Sequence, residues 1–367
     1  MRTIDDLRQF QAVPLEIKIA MTKRRIVDWV CEFGTDGVYV SFSGGKDSTV
    51  LLHMVRQMYP SVEAVFVNTG LEYPEIQKFV KTFENVTILR PKMRFDEVIK
   101  KYGYPVIGKH QSETIDYARR NLAEGKYSLR LRRLGLTADR AEEMGLKLPP
   151  AEMLQRYGKA SNGSKFEVPK YEPLLWTDFN VSAACCNVMK KNPVKQYERE
   201  TGKVPILATM AEESMQREVA WLKNGCNAFD AKRPTSQPMS FWTEQDVLQY
   251  IKKYNVPSAP VYGEVEYKTN PAQRRLEEYG VENCGSEPLC TTGCKRTGCV
   301  FCAFGAQFDP EPRFERLKQT HPRQYDYCIN GGKYNENGEW QPNKQGLGMG
   351  HVFDELNKIY GEGFIKY

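Results

Sequence analysis

The chain has 367 residues, of which 41% are hydrophobic, a balance typical of a globular protein with a sizeable core and additional modules. No apolar run approaches the roughly 18 residues of a membrane span. The polar, acidic start does not resemble a signal peptide, so we expect a cytoplasmic protein without a membrane partner. A net charge of +6 suits an anionic substrate without requiring a polynucleotide. Ten cysteines without a secretion signal favour metal or redox chemistry over a disulfide scaffold.

Residues 1–30 carry apolar side chains at helical spacing, which predicts a helix that leads into the first strand. In residues 39–49 a short apolar strand then runs into a Ser-Gly-Gly turn and a helix. Two consecutive glycines let backbone N–H groups approach an anion, and the helix beginning near Asp47 adds its positive end. The spacing of a kinase-like P-loop is absent. We predict that this loop holds a phosphate group; the alternative is a strand-to-helix turn without a ligand.

A second strand and turn occupy residues 65–70, and the next helix opens within residues 71–75. This alternation of strand, phosphate turn, helix, strand, acidic turn and helix is typical of doubly wound proteins. Such proteins bind ligands at the carboxyl ends of their strands. The sequence therefore predicts an α/β fold with a doubly wound, mostly parallel sheet.

The Ser43-Gly44-Gly45-Lys46-Asp47-Ser48 loop resembles the S-G-G-x-D-S pyrophosphate loop of the N-type ATP pyrophosphatases. This PP-loop (adenine nucleotide alpha hydrolase-like) superfamily splits ATP between its α and β phosphates. With Asn68-Thr69-Gly70-x-Glu72 about twenty residues later, the chain resembles the phosphoadenosine phosphosulfate (PAPS) reductase family. Residues 205–217 and 238–247 are similar to later parts of that family. Ala211 stands where the family often has an arginine, so one phosphate or sulfate contact is in question.

The resemblance implies that ATP and Mg²⁺ bind along the loop, with Lys46 and Asp47 as catalytic residues. Asp47 would help to hold Mg²⁺, and Lys46 would stabilise the charge that develops at the α–β bridge. The residues expected to bind the nucleotide are Ser41, Ser43, Gly44, Gly45, Lys46, Asp47, Ser48, Thr49, Asn68, Thr69, Gly70, Glu72, Glu213, Ser214 and Arg217.

Two cysteine pairs form a second signal: the adjacent Cys185 and Cys186, and the C-x-x-C of Cys299 and Cys302. Their arrangement is similar to the one that holds a [4Fe–4S] cluster in assimilatory adenylylsulfate reductases. Thiolates suit both iron–sulfur clusters and Zn²⁺. The adjacent pair favours iron, because structural zinc sites normally use C-x₂₋₄-C spacing on both sides. We predict a [4Fe–4S] cluster at these four residues; Zn²⁺ and plain buried cysteines are the alternatives.

The remaining cysteines are less informative. Cys294, next to Lys295, is taken as a candidate sulfur-carrying catalytic residue, a role that would require exposure and a lowered pKa. Cys31 lies in an apolar helical pattern and is predicted to be a core residue. The roles of four others stay open: Cys226, Cys284, Cys290 and Cys328.

The predicted organisation is a helical lead-in over residues 1–30, a nucleotide-binding domain over 31–255 and a Cys-rich metal-binding module over 256–367. A helical insertion is expected at about residues 120–170, where Asn162-Gly163-Ser164 marks a loop. Its arginines at 130, 132 and 133 could bind nucleic acid, although a solvated helix face is the favoured alternative. Lys109 and His110 are candidates for phosphate contact or proton transfer. The alternative is that they form a loop pair with no catalytic role.

The sulfonucleotide reductases of the family use a cysteine in a Glu-Cys-Gly-x-His tail motif, whereas no cysteine follows Cys328 here. With an intact loop, this favours ATP as the nucleotide. We predict a sulfurtransferase in which ATP adenylates an acceptor, pyrophosphate leaves and sulfur displaces AMP. The candidate partners are a sulfur donor or reductant protein, a nucleic-acid acceptor and a second copy in a homodimer. The alternatives are a phosphoadenylyl- or adenylyl-sulfate reductase that uses Cys328 or another chain's thiol, and a non-catalytic nucleotide-sensing module.

Overall fold

The computed structural model describes residues 2–161, 167–268 and 288–367. The chain forms two compact units, each built from two stretches: unit 1 from Met1–Arg90 and Pro193–Gly298, and unit 2 from Pro91–Asn192 and Cys299–Tyr367. The predicted divisions at residues 30 and 255 differ from these units. Part of the reason is a strand pairing inside unit 2, which joins residues 303–304 to residues 106–107. Cys284 and the predicted loop at residues 162–164 lie outside the described residues.

The helices are α1 (Ile4–Ala12), α2 (Leu15–Phe33), α3 (Lys46–Met58), α4 (Pro74–Val80), α5 (Phe95–Tyr102), α6 (Lys109–Ala123), α7 (Leu129–Arg133), α8 (Ala138–Glu143), α9 (Ala151–Ser161), α10 (Ala184–Cys186), α11 (Asn192–Thr201), α12 (Met215–Asn224), α13 (Glu244–Tyr254), α14 (Arg313–Thr320), α15 (Pro322–Ile329) and α16 (Met349–Tyr360). The strands are β1 (Val38–Ser41), β2 (Glu63–Val67), β3 (Val86–Leu89), β4 (Val106–Ile107), β5 (Val204–Ile206), β6 (Asn227–Ala228), β7 (Thr235–Ser236), β8 (Val265–Tyr267), β9 (Leu289–Thr291), β10 (Ala303–Phe304), β11 (Lys333–Tyr334) and β12 (Trp340–Gln341). None of the helices in the described ranges is long and apolar enough to cross a membrane.

Unit 1 contains a six-stranded sheet in the order β3-β2-β1-β5-β7-β6. Every pairing is parallel except that of β6 with β7. In β1, Val38, Tyr39 and Val40 are all fully buried, as expected for a central strand of a parallel sheet that is covered on both faces. The predicted doubly wound, mostly parallel α/β fold is confirmed.

The predicted N-terminal helix is two helices, because α1 ends just before Pro14 and α2 begins just after it. The buried face of α2 includes Ile19, Ile26 and Trp29. Cys31 falls on another side of this helix and is exposed, so its prediction as a core residue is wrong.

Unit 2 contains two small sheets: β4 with β10, which is parallel, and β11 with β12, which is antiparallel. The described part of the predicted helical insertion contains the helices α7, α8 and α9. Arg119 of α6 fixes the segment that follows the insertion by donating to the backbone carbonyls of Leu174, Thr177 and Phe179.

Candidate functional site

The phosphate loop follows β1 in unit 1, and its geometry requires a glycine at position 44. Gly44 has a φ of +70°, and a Cβ there would lie 2.7 Å from Val80 Cγ2 and 2.9 Å from Ile76 Cγ2. Any side chain would therefore be both strained and crowded. Gly45 is the N-cap of α3, so the loop ends where the helix presents its free N–H groups.

The loop's hydroxyl groups brace its own backbone. Ser48 Oγ donates to the Gly45 carbonyl at 2.9 Å and accepts from the Ser43 N–H at 3.1 Å. Thr49 Oγ1 also donates to the Gly45 carbonyl, at 3.0 Å. These bonds hold the turn in the shape of an anion cradle.

A cavity of about 350 Å³ opens at this loop. The sequence-predicted residues that line it are Ser41, Ser43, Gly45, Lys46, Asp47, Ser48, Glu213 and Arg217. The predicted residues that do not line it are Gly44, Thr49, Asn68, Thr69, Gly70, Glu72 and Ser214. The structure thus brings together eight of the fifteen predicted nucleotide contacts in one cavity of unit 1.

Lys46 is a buried cation in this cavity. Its Nζ lies 3.4 Å from Asp47 Oδ1 and 3.2 Å from Glu244 Oε1, and it donates to the Lys295 carbonyl at 3.2 Å. Burial opposes its charge, but the two carboxylates hold the pKa of Lys46 above its usual value. Lys46 is therefore a fixed positive charge at the start of α3.

Asp47 supplies an oxygen that suits a divalent cation. Its Oδ1 is buried and has no hydrogen-bond partner in the described part of the chain, although it lies near the Lys46 ammonium. Mg²⁺ prefers carboxylate oxygens and usually binds through one or two of them together with substrate phosphates. The residues present therefore fit a bound Mg²⁺.

Two arginines that line the same cavity add positive charge to it. Arg217 forms an ion pair with Glu213, and Arg296 lies 3.8 Å from the other oxygen of that carboxylate. Burial and the neighbouring Arg296 lower the pKa of Arg217, while Asp47 opposes this shift. Ser214 caps α12, and Ala211, at the family's arginine position, is buried. Arg296, which sequence reasoning missed, is the second arginine that lines this cavity.

The Asn68-Thr69-Gly70-x-Glu72 turn is closed by its own side chains. Glu72 accepts from the Thr69 N–H at 3.0 Å and from its hydroxyl at 2.7 Å. Asn68 Oδ1 accepts from the Gly70 N–H at 3.0 Å. In the structure these side chains shape the loop after β2.

Sequence reasoning also missed Tyr262, Thr297 and Glu244. The Tyr262 hydroxyl accepts from the Lys46 N–H at 3.2 Å and lies 2.6 Å from Thr297 Oγ1. The only available signal was the basic and hydroxylic run at residues 295–298, a composition that suits an anion. Tyr262 belongs to no motif, so only the fold could reveal it.

The two cysteine pairs both lie in unit 2. Cys185 and Cys186 end the short helix α10, which runs into a π-helical turn at Asn187–Lys191. π-Helical turns are rare in proteins, and those that occur are frequently found at functional sites. Cys299 and Cys302 sit in a turn closed by the Cys302 N–H donating to the Cys299 carbonyl at 3.0 Å. The next residues form β10, whose partner β4 ends just before Lys109.

Electrostatic interactions connect the four thiols. A hydrogen bond with Cys186, burial, and the charges of Cys186, Cys302 and Cys299 all raise the pKa of Cys185. The same hydrogen bond lowers the pKa of Cys186 to about 6 against the effect of burial, with help from nearby lysines that include Lys109. Burial raises the pKa of Cys302 to about 11. Among these thiols, Cys186 is therefore the group that most readily carries a negative charge.

Within residues 2–161, 167–268 and 288–367, no three His, Cys, Asp or Glu side chains stand at metal-binding spacing. The donor types still suit a thiolate-bound group, since unit 2 contains all four cysteines and the lysines near Cys186 favour its thiolate form. The cluster stays a prediction.

The remaining described cysteines differ in their burial. Cys294 is buried, with 6% exposure, which does not meet the requirement for an accessible sulfur carrier, and Cys290 is half-buried. Cys226 is buried beside Ser240. Cys328 is fully buried, donates to Met349 Sδ at 3.4 Å, and has its pKa raised by burial.

Comparisons with known proteins point to one family. The family model of the phosphoadenosine phosphosulfate reductase domain matches residues 37–126 and 141–304, more than half of the chain. An uncharacterized protein of Methanocaldococcus jannaschii is 35% identical over 21% of this chain and 20% of its own length. The adenosine 5'-phosphosulfate reductase of Bacillus cereus (strain B4264) is 31% identical over 21% of this chain and 36% of its own. The chain thus spans about a third or less of the length of these two relatives.

Among solved structures, the phosphoadenylyl-sulfate reductase of Candida auris, in a phosphate complex, is similar at a TM-score of 0.35 and 12% identity. That match covers 78% of this chain and 96% of the other.

Proposed function

Because the chain belongs to the phosphoadenosine phosphosulfate reductase domain family, we propose that it is an ATP pyrophosphatase that adenylates an acceptor and then replaces AMP by sulfur. The observation that carries this proposal is the cavity at the intact Ser-Gly-Gly loop, lined by Lys46, Arg217 and Arg296. Three cations around one cradle suit a pyrophosphate leaving group, which binds best where several charge-assisted hydrogen bonds converge.

The proposed reaction has two substitutions. An acceptor oxygen attacks the α-phosphorus of ATP, the bond from that phosphorus to the α–β bridging oxygen breaks, and pyrophosphate leaves. Sulfur at the oxidation level of sulfide then attacks the adenylated carbon, the carbon–oxygen bond breaks, and AMP leaves. No net oxidation occurs, and each step has a better leaving group than the direct exchange of oxygen for sulfur.

The chain's own residues have distinct parts in the first substitution. Lys46 and the N–H groups at the start of α3 neutralise charge that develops on the leaving pyrophosphate. Arg217 and Arg296 orient the phosphates. Asp47 offers an oxygen to Mg²⁺, which when bound supplies further charge neutralisation.

The four thiols support a second part of the proposal. Cys185, Cys186, Cys299 and Cys302 would hold a [4Fe–4S] cluster, which would supply electron or sulfur chemistry when bound. Zn²⁺ is the alternative, because the donor set suits both metals. Iron and acid-labile sulfide contents of anaerobically purified protein, with the visible absorption spectrum, separate the two. Cys294 as the sulfur carrier stays a prediction, and its burial does not support it.

The test of the ATP reaction is Asp47→Ala, assayed for pyrophosphate and AMP with Mg²⁺, hydrosulfide and a mixture of nucleic-acid acceptors. We expect a loss of roughly 10²- to 10³-fold, the usual effect of removing one group that stabilises charge in the transition state. Asp28→Ala, which removes a more exposed aspartate of the same unit, is the control and should keep full activity. A rate within threefold of wild type for Asp47→Ala would remove the claim. Unaltered ATP binding without any pyrophosphate from the wild type would favour the nucleotide-sensing module.

A second candidate function is reduction of a sulfonucleotide, which the Bacillus reductase relatives favour. That chemistry needs an accessible thiol nucleophile. Cys328 is fully buried against Met349, so it does not supply one without local opening. Sulfite release from PAPS or adenylylsulfate with a thiol reductant is the assay for this alternative.

A further inference from the structure

Unit 2 has a cavity of its own, of about 420 Å³, that the proposed ATP chemistry does not use. Its lining includes Lys101, Arg120 and Trp176, together with the carboxylates of Asp116 and Glu339. These side chains come from α5, α6, the segment after the insertion and the C-terminal stretch. A cavity that joins cations with a large aromatic side chain suits a ligand that is both anionic and planar.

Trp176 is the aromatic component. Its side chain is half exposed, at 49%, although a tryptophan is among the residues most often covered in a folded protein. The indole N–H donates to Glu172 Oε1 at 2.9 Å, which fixes the edge of the ring and leaves its faces for stacking. The neighbouring backbone is held by the half-buried Arg119, which donates to the Thr177 carbonyl at 3.1 Å. Trp176 is therefore an exposed but anchored platform.

The cations form a continuous surface through Arg120. Besides lining the cavity, Arg120 lies 5.4 Å from the ring centre of Tyr117, and Arg130 lies 4.3 Å from the same ring. Tyr117 is 40% exposed. Two guanidinium groups against one exposed ring form a second flat platform beside the cavity. We define the residues Lys101, Tyr117, Arg120, Arg130 and Trp176 as the Trp176 surface.

The cavity lining contains three cations, Lys101, Arg119 and Arg120, against two carboxylates, Asp116 and Glu339. Asp116 is already paired with Arg120 at 2.7 Å. Glu339 accepts hydrogen bonds from Asn180 at 2.9 Å and from Asn335 at 3.0 Å. Lys101 is exposed and has no ion pair among the described residues. The Trp176 surface therefore keeps a net positive charge.

We propose that the Trp176 surface binds single-stranded nucleic acid, with an unpaired base stacked on Trp176 and backbone phosphates at Lys101, Arg120 and Arg130. Aromatic platforms flanked by cations are the general means of holding single strands, whose bases are free to stack, whereas the bases of a duplex are not. This inference rests on the proposed function, since it identifies the acceptor as an unpaired nucleotide.

The test uses the full chain and measures fluorescence anisotropy of a labelled 20-nucleotide strand at several salt concentrations, without ATP. Single-stranded DNA and RNA of one sequence are compared with the DNA duplex and with polyglutamate of similar length. We expect either single strand to bind at least tenfold more tightly than the duplex or polyglutamate. Trp176→Ala should weaken binding roughly 5- to 150-fold, the effect of one lost base stack, and Trp176→Phe should keep most of it.

A cation variant and a matched control complete the design. Lys101→Ala should reduce the slope of log K against log salt by about 0.7, as expected for one lost contact to a single-strand phosphate. Tyr267→Ala is the control, because Tyr267 is a 54% exposed ring with Lys252 at 3.9 Å, but in unit 1. This variant should bind like wild type. A change of less than twofold in Trp176→Ala, or equal binding of duplex or polyglutamate, overturns the inference.

Failure of this inference is distinguishable from failure of the proposed function. Strand binding without pyrophosphate formation from ATP would refute the ATP reaction and leave the Trp176 surface in place. Pyrophosphate formation with no strand binding would do the reverse.

Discussion

The substitution Lys46→Met, with a matched control, separates the contribution of this residue to stability from its contribution to pyrophosphate release. The ammonium lies 3.4 Å from Asp47 Oδ1, which corresponds to about 5 kcal/mol at an effective dielectric of about 20. Glu244, at 3.2 Å, is 46% exposed, so solvent screening reduces its interaction to about 1 kcal/mol or less. Removing the lysine also removes the cost of burying its charge. The net loss expected for breaking a buried pair is about 3 kcal/mol.

A matched variant exists in the same unit. Lys18 is equally buried and pairs with Asp246 at 2.6 Å, and neither residue lines the loop cavity, so Lys18→Met should destabilise by a similar or larger amount. Urea titrations should show a lowered midpoint for both variants. Pyrophosphate release at a temperature where both stay folded should fall roughly 10²- to 10³-fold for Lys46→Met and stay near wild type for Lys18→Met. Equal activity of the two variants would refute the assignment of Lys46 to the leaving group.

Three further outcomes are expected. Metal analysis of Cys299→Ser should show a loss of iron, as should a serine at any of the other three predicted cluster positions. Cys31→Ser, at an exposed site, should keep its iron. Iron retained in all four cluster variants would exclude the cluster. Gly44→Ala should raise the KM for ATP at least tenfold because its Cβ would clash, whereas Gly34→Ala, with a similar φ of +74° and free space, should cost only stability. Hydrogen bonds hold the pKa of Glu63 below its ordinary value near 4.5 despite burial, so its contribution to stability is present above that pH and is lost as the pH falls through the lower folded pKa. Glu63→Gln should flatten that acid limb in unfolding measurements, and an unchanged limb would contradict the argument.

The sheet and its phosphate loop were predictable because both depend on local sequence. The apolar run of β1 and the two glycines after it encode a buried strand and a sharp turn within a dozen residues. The same locality explains two deviations. Pro14 divides the first helical segment, and the face of α2 that is buried leaves Cys31 exposed. A helical pattern gives the period of the buried positions but not the exact edge of the face.

The remaining features depend on contacts between distant parts of the chain. Tyr262 reaches the Lys46 N–H across more than two hundred residues, and Glu244 reaches the Lys46 ammonium from the start of α13. No spacing in the sequence encodes either contact. The composition of the compact units also depends on distant contacts, because β10 pairs with β4 from far earlier in the chain.

The measurement that tests the central claim most directly follows α-labelled ATP and adenylylsulfate in parallel with anaerobically purified protein. The reactions contain Mg²⁺, hydrosulfide, a thiol reductant, bulk cellular RNA and denatured DNA. The account predicts AMP and pyrophosphate from ATP in equal amounts, a thiolated nucleic acid, and no sulfite from adenylylsulfate above background. Sulfite released from adenylylsulfate, with no AMP formed from ATP, would contradict the account and establish the reductase reaction in its place.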